Sequence, residues 1–213
     1  MLEYTSFDKM RLPQPHEALL GRIEPIETAQ YHFVNGQLLQ DNWQPPLKTI
    51  LLGMGCFWGA ERLLWQQKGV HVTAAGYAGG MTPNPTYEET CTGRTGHAEV
   101  VLVVYDSEIL PLSELLQIFW QSHDPTQYMR QGVDIGTTYR SAIYVSNFQD
   151  FELAQASQKT YDDALQQQGL GISQTEITMD KPFYYAEEHH QQYLAKNRDG
   201  YCGLKGTGVA CPI

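Results

Sequence analysis

From Leu47 onward, apolar residues gather in short runs separated by polar, glycine- and proline-rich stretches. Their spacing predicts alternating strands and helices. Residues 48–53 predict a strand, 57–67 a helix, and 70–76 a second strand. The near-continuous apolar run from Glu99 to Tyr105 predicts a strand buried on both faces. Ser113 is positioned to cap a helix over 113–122 whose apolar face carries Leu115, Leu116, Phe119 and Trp120. A strand follows over 140–145, then a long helix from Phe148 to Gln168 closed by Gly169. Thr175-Glu176-Ile177 predicts a short edge strand, and Tyr185 to Lys196 one more helix.

Between 48 and 145 the predicted order is β-α-β-β-α-β, the ferredoxin-like or split βαβ pattern, so the expected fold is α+β with a mixed sheet. Residues 1–46, punctuated by Pro13, Pro15, Pro25, Pro45 and Pro46, predict a long irregular N-terminal arm. The core is expected over 47–196 and a mobile, glycine-rich C-terminal tail over 197–213, all within a single catalytic domain spanning 1–213. Two polar stretches, 77–96 and 123–138, predict loops long enough to point to function.

Composition narrows the class. The chain has 213 residues, 42% hydrophobic and 18% charged, which suffices for a sizeable core. A net charge of -10 with no basic stripe argues against a nucleic-acid partner. The polar start Met1-Leu2-Glu3-Tyr4-Thr5 lacks the apolar segment of a signal peptide, and no run reaches the length of a membrane span. The expectation is a soluble, cytoplasmic protein with no membrane partner, and nothing demands more than a monomer. The four cysteines, Cys56, Cys91, Cys202 and Cys211, are too sparse for a secreted disulfide scaffold. They also lack the close pairing of a structural zinc site, so no metal is expected.

Candidate chemistry centres on Gly53-Met54-Gly55-Cys56-Phe57-Trp58-Gly59, where a predicted strand hands over to a predicted helix. Unpaired N–H groups at a helix start carry partial positive charge, so a thiol there is expected to ionise more easily than a free cysteine. The bland alternative is a small buried hydrophobe. Phe57 and Trp58 are either ordinary core or the walls of an apolar pocket for a small alkyl group. Glu99 opens the buried strand; the plainer reading is a solvated strand-end glutamate, and the alternative is a carboxyl with apolar surroundings, whose pKa should rise and make it a proton donor near neutrality. His97 is readable as a base or, better, as a structural histidine. Tyr87 and Tyr139, in or beside the long loops, are able to donate hydrogen bonds to a substrate oxygen, and Asp134 is another polar loop group or a turn former. Cys202 and Cys211 lie in the glycine-rich tail, where a thiol can swing to a distant partner or close a disulfide loop. Cys91 has no such context and reads as structural.

Together these residues resemble the A-class peptide methionine sulfoxide reductases. Gly55-Cys56-Phe57-Trp58-Gly59 is similar to that family's nucleophile motif. The similarity continues in Gly76-Tyr77-Ala78-Gly79-Gly80, Asn84-Pro85-Thr86-Tyr87, Gly96-His97-Ala98-Glu99 and His123-Asp124-Pro125. It runs on through Tyr139-Arg140-Ser141-Ala142-Ile143-Tyr144, Phe183-Tyr184-Tyr185-Ala186-Glu187 and Tyr201-Cys202-Gly203, and covers roughly 48 to 211. The resemblance implies repair of oxidised proteins by reduction of methionine S-sulfoxide, free or protein-bound. Cys56 would attack the sulfoxide sulfur while Phe57 and Trp58 hold the methyl group. Glu99 would protonate the oxygen with help from Tyr87 and Tyr139, and Asp134 would be a further polar member. The resulting Cys56 sulfenic acid would be resolved by Cys202, then Cys211, and the disulfide passed to thioredoxin.

Two other classes compete. A cysteine hydrolase or acyltransferase would pair Cys56 with His97 or His123 and leave the tail idle. A redox-sensing binding module would switch a disulfide without turning over sulfoxide.

Overall fold

Alternation along the strands sorts the apolar residues into two cores. In the computed structural model, which describes residues 8–212, the strand β3 (Ala98–Asp106) places Val101, Val103 and Tyr105 in one core and Ala98, Val100, Leu102 and Val104 in the other. Successive side chains point to opposite faces of a sheet, so a strand covered on both faces must be apolar throughout. The reading of the polar start, Met1 to Thr5, lies outside the described residues.

The elements follow in chain order. β1 (Leu47–Met54), α1 (Phe57–Trp65) and β2 (Val70–Ala78) lead to the short α2 (Tyr87–Cys91) and β3. Then come α3 (Leu112–Ser122), the small hairpin β4 (Arg130–Gln131) and β5 (Asp134–Ile135), β6 (Ser141–Val145) and α4 (Phe148–Gln167). β7 (Glu176–Met179), β8 (Phe183–Tyr185) and α5 (Tyr193–Lys196) complete the set. Six strands form one sheet in the order β7-β6-β1-β3-β2-β8. β7 runs parallel to β6 and every other neighbouring pair is antiparallel, which makes the sheet mixed and the fold α+β.

One face of the sheet is covered by helices. α1 buries Phe57, Ala60 and Leu64 at helical spacing, α3 buries Leu112, Leu115, Leu116 and Phe119, and α4 buries Ala154, Ser157, Tyr161 and Leu165. The other face is covered by the segment before β1, through Leu39, Ala29 and Trp43. Between residues 8 and 46 the described chain holds no helix or strand, only a bridge between Tyr31 and Leu38. Yet Leu39 there is 0% exposed. Among the described residues no helix is long and apolar enough to cross a membrane.

Several local expectations are corrected. Pro111, not Ser113, precedes the first turn of α3, since its fixed φ of -56° suits a helix entry and no side-chain cap is formed. Residues 77–96 are not all loop, because Thr86 and Glu89 form a reciprocal capping box that nucleates α2. The stretch 123–138 likewise contains the β4–β5 hairpin. The helix expected over 185–196 is broken into β8, a 3₁₀ turn at Glu188–His190 and α5. Gln192 adopts a left-handed φ of 47° at the break. Its side chain donates to the buried Glu61 Oε1 at 2.7 Å, and its own N–H donates to Glu61 Oε2 at 2.8 Å.

The segment before β1 is therefore structural core rather than ornament. Leu39→Ala should lower unfolding free energy by about 2–5 kcal/mol in urea titration. A loss below about 0.5 kcal/mol would show that this segment does not pack as described.

Candidate active site

The junction between β1 and α1 organises the site. Gly55 turns the chain with a φ of +86°, and a Cβ there would meet the Gln131 side chain at 2.6 Å. Cys56 is the residue before the first turn of α1 and is partly buried. The antiparallel register that pairs Leu52 with Val101 runs on toward Glu99 at this same end of the sheet. Glu99 shares the helix-facing side of β3 with Val101 and Val103 and is 1% exposed. Its Oε2 accepts a hydrogen bond from the Phe57 N–H at 2.9 Å. One of the unpaired amides that a helix start must satisfy is thus given to a carboxyl from another strand.

The electrostatics follow from burial. Burial pushes the Glu99 pKa up to about 8, against the pull of the Phe57 N–H and with a further push from Asp134. Cys56 departs from the expectation of an easily ionised thiol. Burial and then the Glu99 carboxylate raise its pKa well above the ordinary value, and the Trp58 N–H opposes them only in part. Removing the first proton from this pair leaves one negative charge, on sulfur or on carboxylate. Thiolate with carboxylic acid has the same proton count as thiol with carboxylate.

Aromatic rings wall the junction. The Phe57 ring lies 5.9 Å from Tyr77 and 5.3 Å from His190. Trp58 stacks on Tyr193 at 4.0 Å and donates its indole N–H to His190 Nδ1 at 3.1 Å. Tyr87 opens α2 with its ring 4.5 Å from His190, and its hydroxyl pairs with Cys91 one turn on. Tyr139 ends a 3₁₀ turn at Thr137–Tyr139; burial and then the charge of Glu99 raise its pKa, with Tyr87, Cys91 and Asp134 adding to the effect. Asp134, on β5, accepts a hydrogen bond from the Tyr201 hydroxyl at 3.0 Å. Tyr87, Tyr139, Asp134, Phe57, Trp58, Glu99 and Cys56 are therefore brought together.

The tail thiols are placed differently. Cys202 is exposed, and its sulfur would sit 2.9 Å from a Cβ on Gly59, one helical turn from Cys56. Gly59 thus leaves room for Cys202 against α1. Cys211 is 2% exposed within the helix-side core, its carbonyl accepting from Gln117 Nε2 at 2.7 Å, and is not gathered at the junction. Cys91, expected to be merely structural, lies beside Tyr87 and feels the charge of Glu99. The two candidate bases are engaged elsewhere. His97 accepts from the Gly80 N–H at 3.0 Å and meets the Thr82 carbonyl at 2.7 Å. His123 meets the Phe119 carbonyl at 2.8 Å and Ser141 Oγ at 2.7 Å. A Cys–His hydrolase pair is not assembled from them. His190 and Tyr193, which meet Trp58, and Tyr201, which meets Asp134, escaped the sequence reading, because their placement depends on the break at Gln192 and the course of the tail.

A thiol and a buried carboxyl sharing one helix start, ringed by phenols and an indole, on an α+β sheet, define a site suited to thiol chemistry beside a proton donor. The family model described as peptide methionine sulfoxide reductase matches residues 48–209. The peptide methionine sulfoxide reductase MsrA of Brucella melitensis biotype 2 is 63% identical over 205 residues, 96% of this chain and 94% of that one. The MsrA of Brucella suis shows the same identity and coverage, 63% over 96% and 94%. The structure of methionine sulfoxide reductase A of Corynebacterium diphtheriae superposes with a TM-score of 0.85 at 47% identity, covering 95% of this chain and 99% of that one. Mxr1 of Saccharomyces cerevisiae in reduced form gives 0.68 at 35% identity, over 77% and 96%. Mxr1 in complex with Trx2 shares the fold at 24% identity and 0.50, over 78% and 94%. The chain belongs to the A-class peptide methionine sulfoxide reductases, oxidoreductases that reduce methionine sulfoxide.

Glu99→Gln removes the carboxylate that opposes the Cys56 thiolate. The pH midpoint for alkylation of Cys56 by iodoacetamide, read by mass spectrometry, should fall by about one unit or more. A midpoint that stays put or rises would contradict the coupling.

Proposed function

We propose that this protein reduces methionine S-sulfoxide by nucleophilic attack of Cys56 and returns to its thiol state through Cys202 and Cys211 at the expense of thioredoxin. The observation that carries the reading is the Phe57 N–H to Glu99 bond of 2.9 Å, which fixes a buried acid beside the thiol. The reactive form is the pair state with thiolate on Cys56 and acid on Glu99. Sulfur attacks the sulfoxide sulfur while Glu99 gives its proton to the oxygen, and Tyr87 and Tyr139 donate hydrogen bonds to that oxygen. Phe57 and Trp58 hold the methyl group, and Asp134 keeps Tyr201 at the mouth.

The protonated oxygen then passes from the methionine sulfur to Cys56 as the bond between the two sulfurs breaks, so methionine leaves as the thioether, Cys56 is left as a sulfenic acid and Glu99 as a carboxylate. The Cys202 thiol displaces it as water and forms a disulfide with Cys56. The approach of Cys202 to Gly59, one turn from Cys56, supports it as first resolver. Cys211 then attacks Cys202, frees Cys56 and leaves a Cys202–Cys211 disulfide for a thioredoxin dithiol to reduce. Cys211 reaches Cys202 only when its segment leaves the helix-side core and the Gln117 bond to its carbonyl breaks. That the yeast relative Mxr1 forms a complex with Trx2 supports thioredoxin as the reductant. We read residues 1–213 as one monomeric catalytic domain. Its core is the ferredoxin-like split βαβ unit, supported by the order β6-β1-β3-β2, with an added arm and tail. Thiols that must stay reduced suit the cytoplasm.

Turnover of each sulfoxide epimer with thioredoxin tests this. Cys56→Ser should be inactive, and Cys202→Ser should release about one methionine per enzyme and stall. Equal use of the R epimer would overturn the stereochemical assignment, and full turnover by Cys202→Ser would overturn the relay.

A further inference from the structure

Glu187 lies outside the reacting groups, yet it touches the supports of two of them. Its Oε1 accepts the N–H of Tyr87 at 2.8 Å, satisfying the start of α2. Its Oε2 accepts the hydroxyl of the fully buried Tyr77 at 3.1 Å, whose ring backs Phe57. The same oxygen lies 4.0 Å from His190 Nε2. His190 is 2% exposed, and that nitrogen has no hydrogen-bond partner among the described residues. The other ring nitrogen, Nδ1, accepts the indole N–H of Trp58 at 3.1 Å. An indole N–H only donates, so Nδ1 must be unprotonated and the neutral ring must carry its proton on Nε2. That proton faces Glu187 across a gap of 4.0 Å, too long for a hydrogen bond, with the N–H dipole directed at the carboxylate.

We propose that Glu187 is a positioning residue that acts through His190. Its carboxylate holds the His190 proton on Nε2, which keeps Nδ1 as the acceptor that orients Trp58, while its second oxygen fixes Tyr87 through the backbone. One side chain thereby sets both the wall of the methyl pocket and a phenol aimed at the sulfoxide oxygen. Loss of the charge alone should loosen Trp58, whereas loss of the whole side chain should also release α2. The proposal rests on the roles given above to Trp58 and Tyr87.

Two variants separate the effects. Glu187→Gln retains a carbonyl for the Tyr87 N–H but removes the charge facing His190. It should raise KM for methionine sulfoxide about tenfold, with kcat within about threefold of wild type. Glu187→Ala should show the same rise in KM and lose about a further tenfold in kcat. The ¹⁵N imidazole spectrum, which needs no turnover, should show His190 only as the Nε2–H form in the wild type. Glu187→Gln should mix in the Nδ1–H form. A wild-type KM in Glu187→Gln, a loss confined to kcat, or a raised KM with the tautomer unchanged would each overturn the proposal. A wild-type enzyme unable to reduce the S-sulfoxide would instead overturn the functional reading, leaving the spectrum to report on Glu187 by itself.

Discussion

The hydrogen bond from the Phe57 N–H to Glu99 is the constraint on which the site depends. A helix start offers a small number of unpaired amides, and whatever binds them gains stabilised negative charge. Here Phe57 gives its amide to the carboxyl, while the Trp58 amide favours the thiolate. The two groups proposed to exchange charge during reduction are therefore held by adjacent peptide units. Their separation cannot drift without unwinding the first turn of α1.

That arrangement is costly in isolation, because an ionised carboxyl removed from water loses several kcal/mol of solvation. The fold accommodates it by keeping Glu99 protonated near neutrality rather than by pairing it with a cation. The surrounding burial is made by both layers over the sheet. Helices close one face, and the segment carrying Leu39 closes the other, so β3 is dry along its length. The chain before β1 also reaches the supports of the site, since the Lys9 carbonyl accepts the Thr137 N–H at 2.7 Å in the turn that carries Tyr139, and Arg22 pairs with Glu89 at the start of α2. Core packing and proton affinity have the same origin.

Much of this was legible in the chain. The near-continuous apolar run of 99–105 announced a strand buried on both faces, whereas the carboxyl at its head read by itself as a solvated strand end, and its burial and raised pKa come from the fold. The glycines around Cys56 marked the turn from β1 into α1. What failed had tertiary causes. The helical reading of 185–196 ignored that Gln192 would be recruited by the buried Glu61, which holds its backbone left-handed. The expected fall in the Cys56 pKa counted the helix start but not the desolvation and the facing carboxylate that outweigh it. His190 and Tyr201 join the site through contacts spanning more than a hundred positions with Trp58 and across β5 with Asp134, which no local pattern reveals. Cys211 read as a thiol on a mobile tail, and its burial in the helix-side core was invisible because glycine-rich sequence carries no periodicity.

The central claim is that burial keeps a proton on Glu99 beside Cys56 at neutral pH. Infrared difference spectroscopy across a pH titration tests it most directly, with Glu99→Gln assigning the band. The account predicts a carboxylic-acid stretch that is present at neutral pH and disappears with a midpoint of about 8. A band that vanishes in the ordinary range for a glutamate, about 4.3, would contradict it.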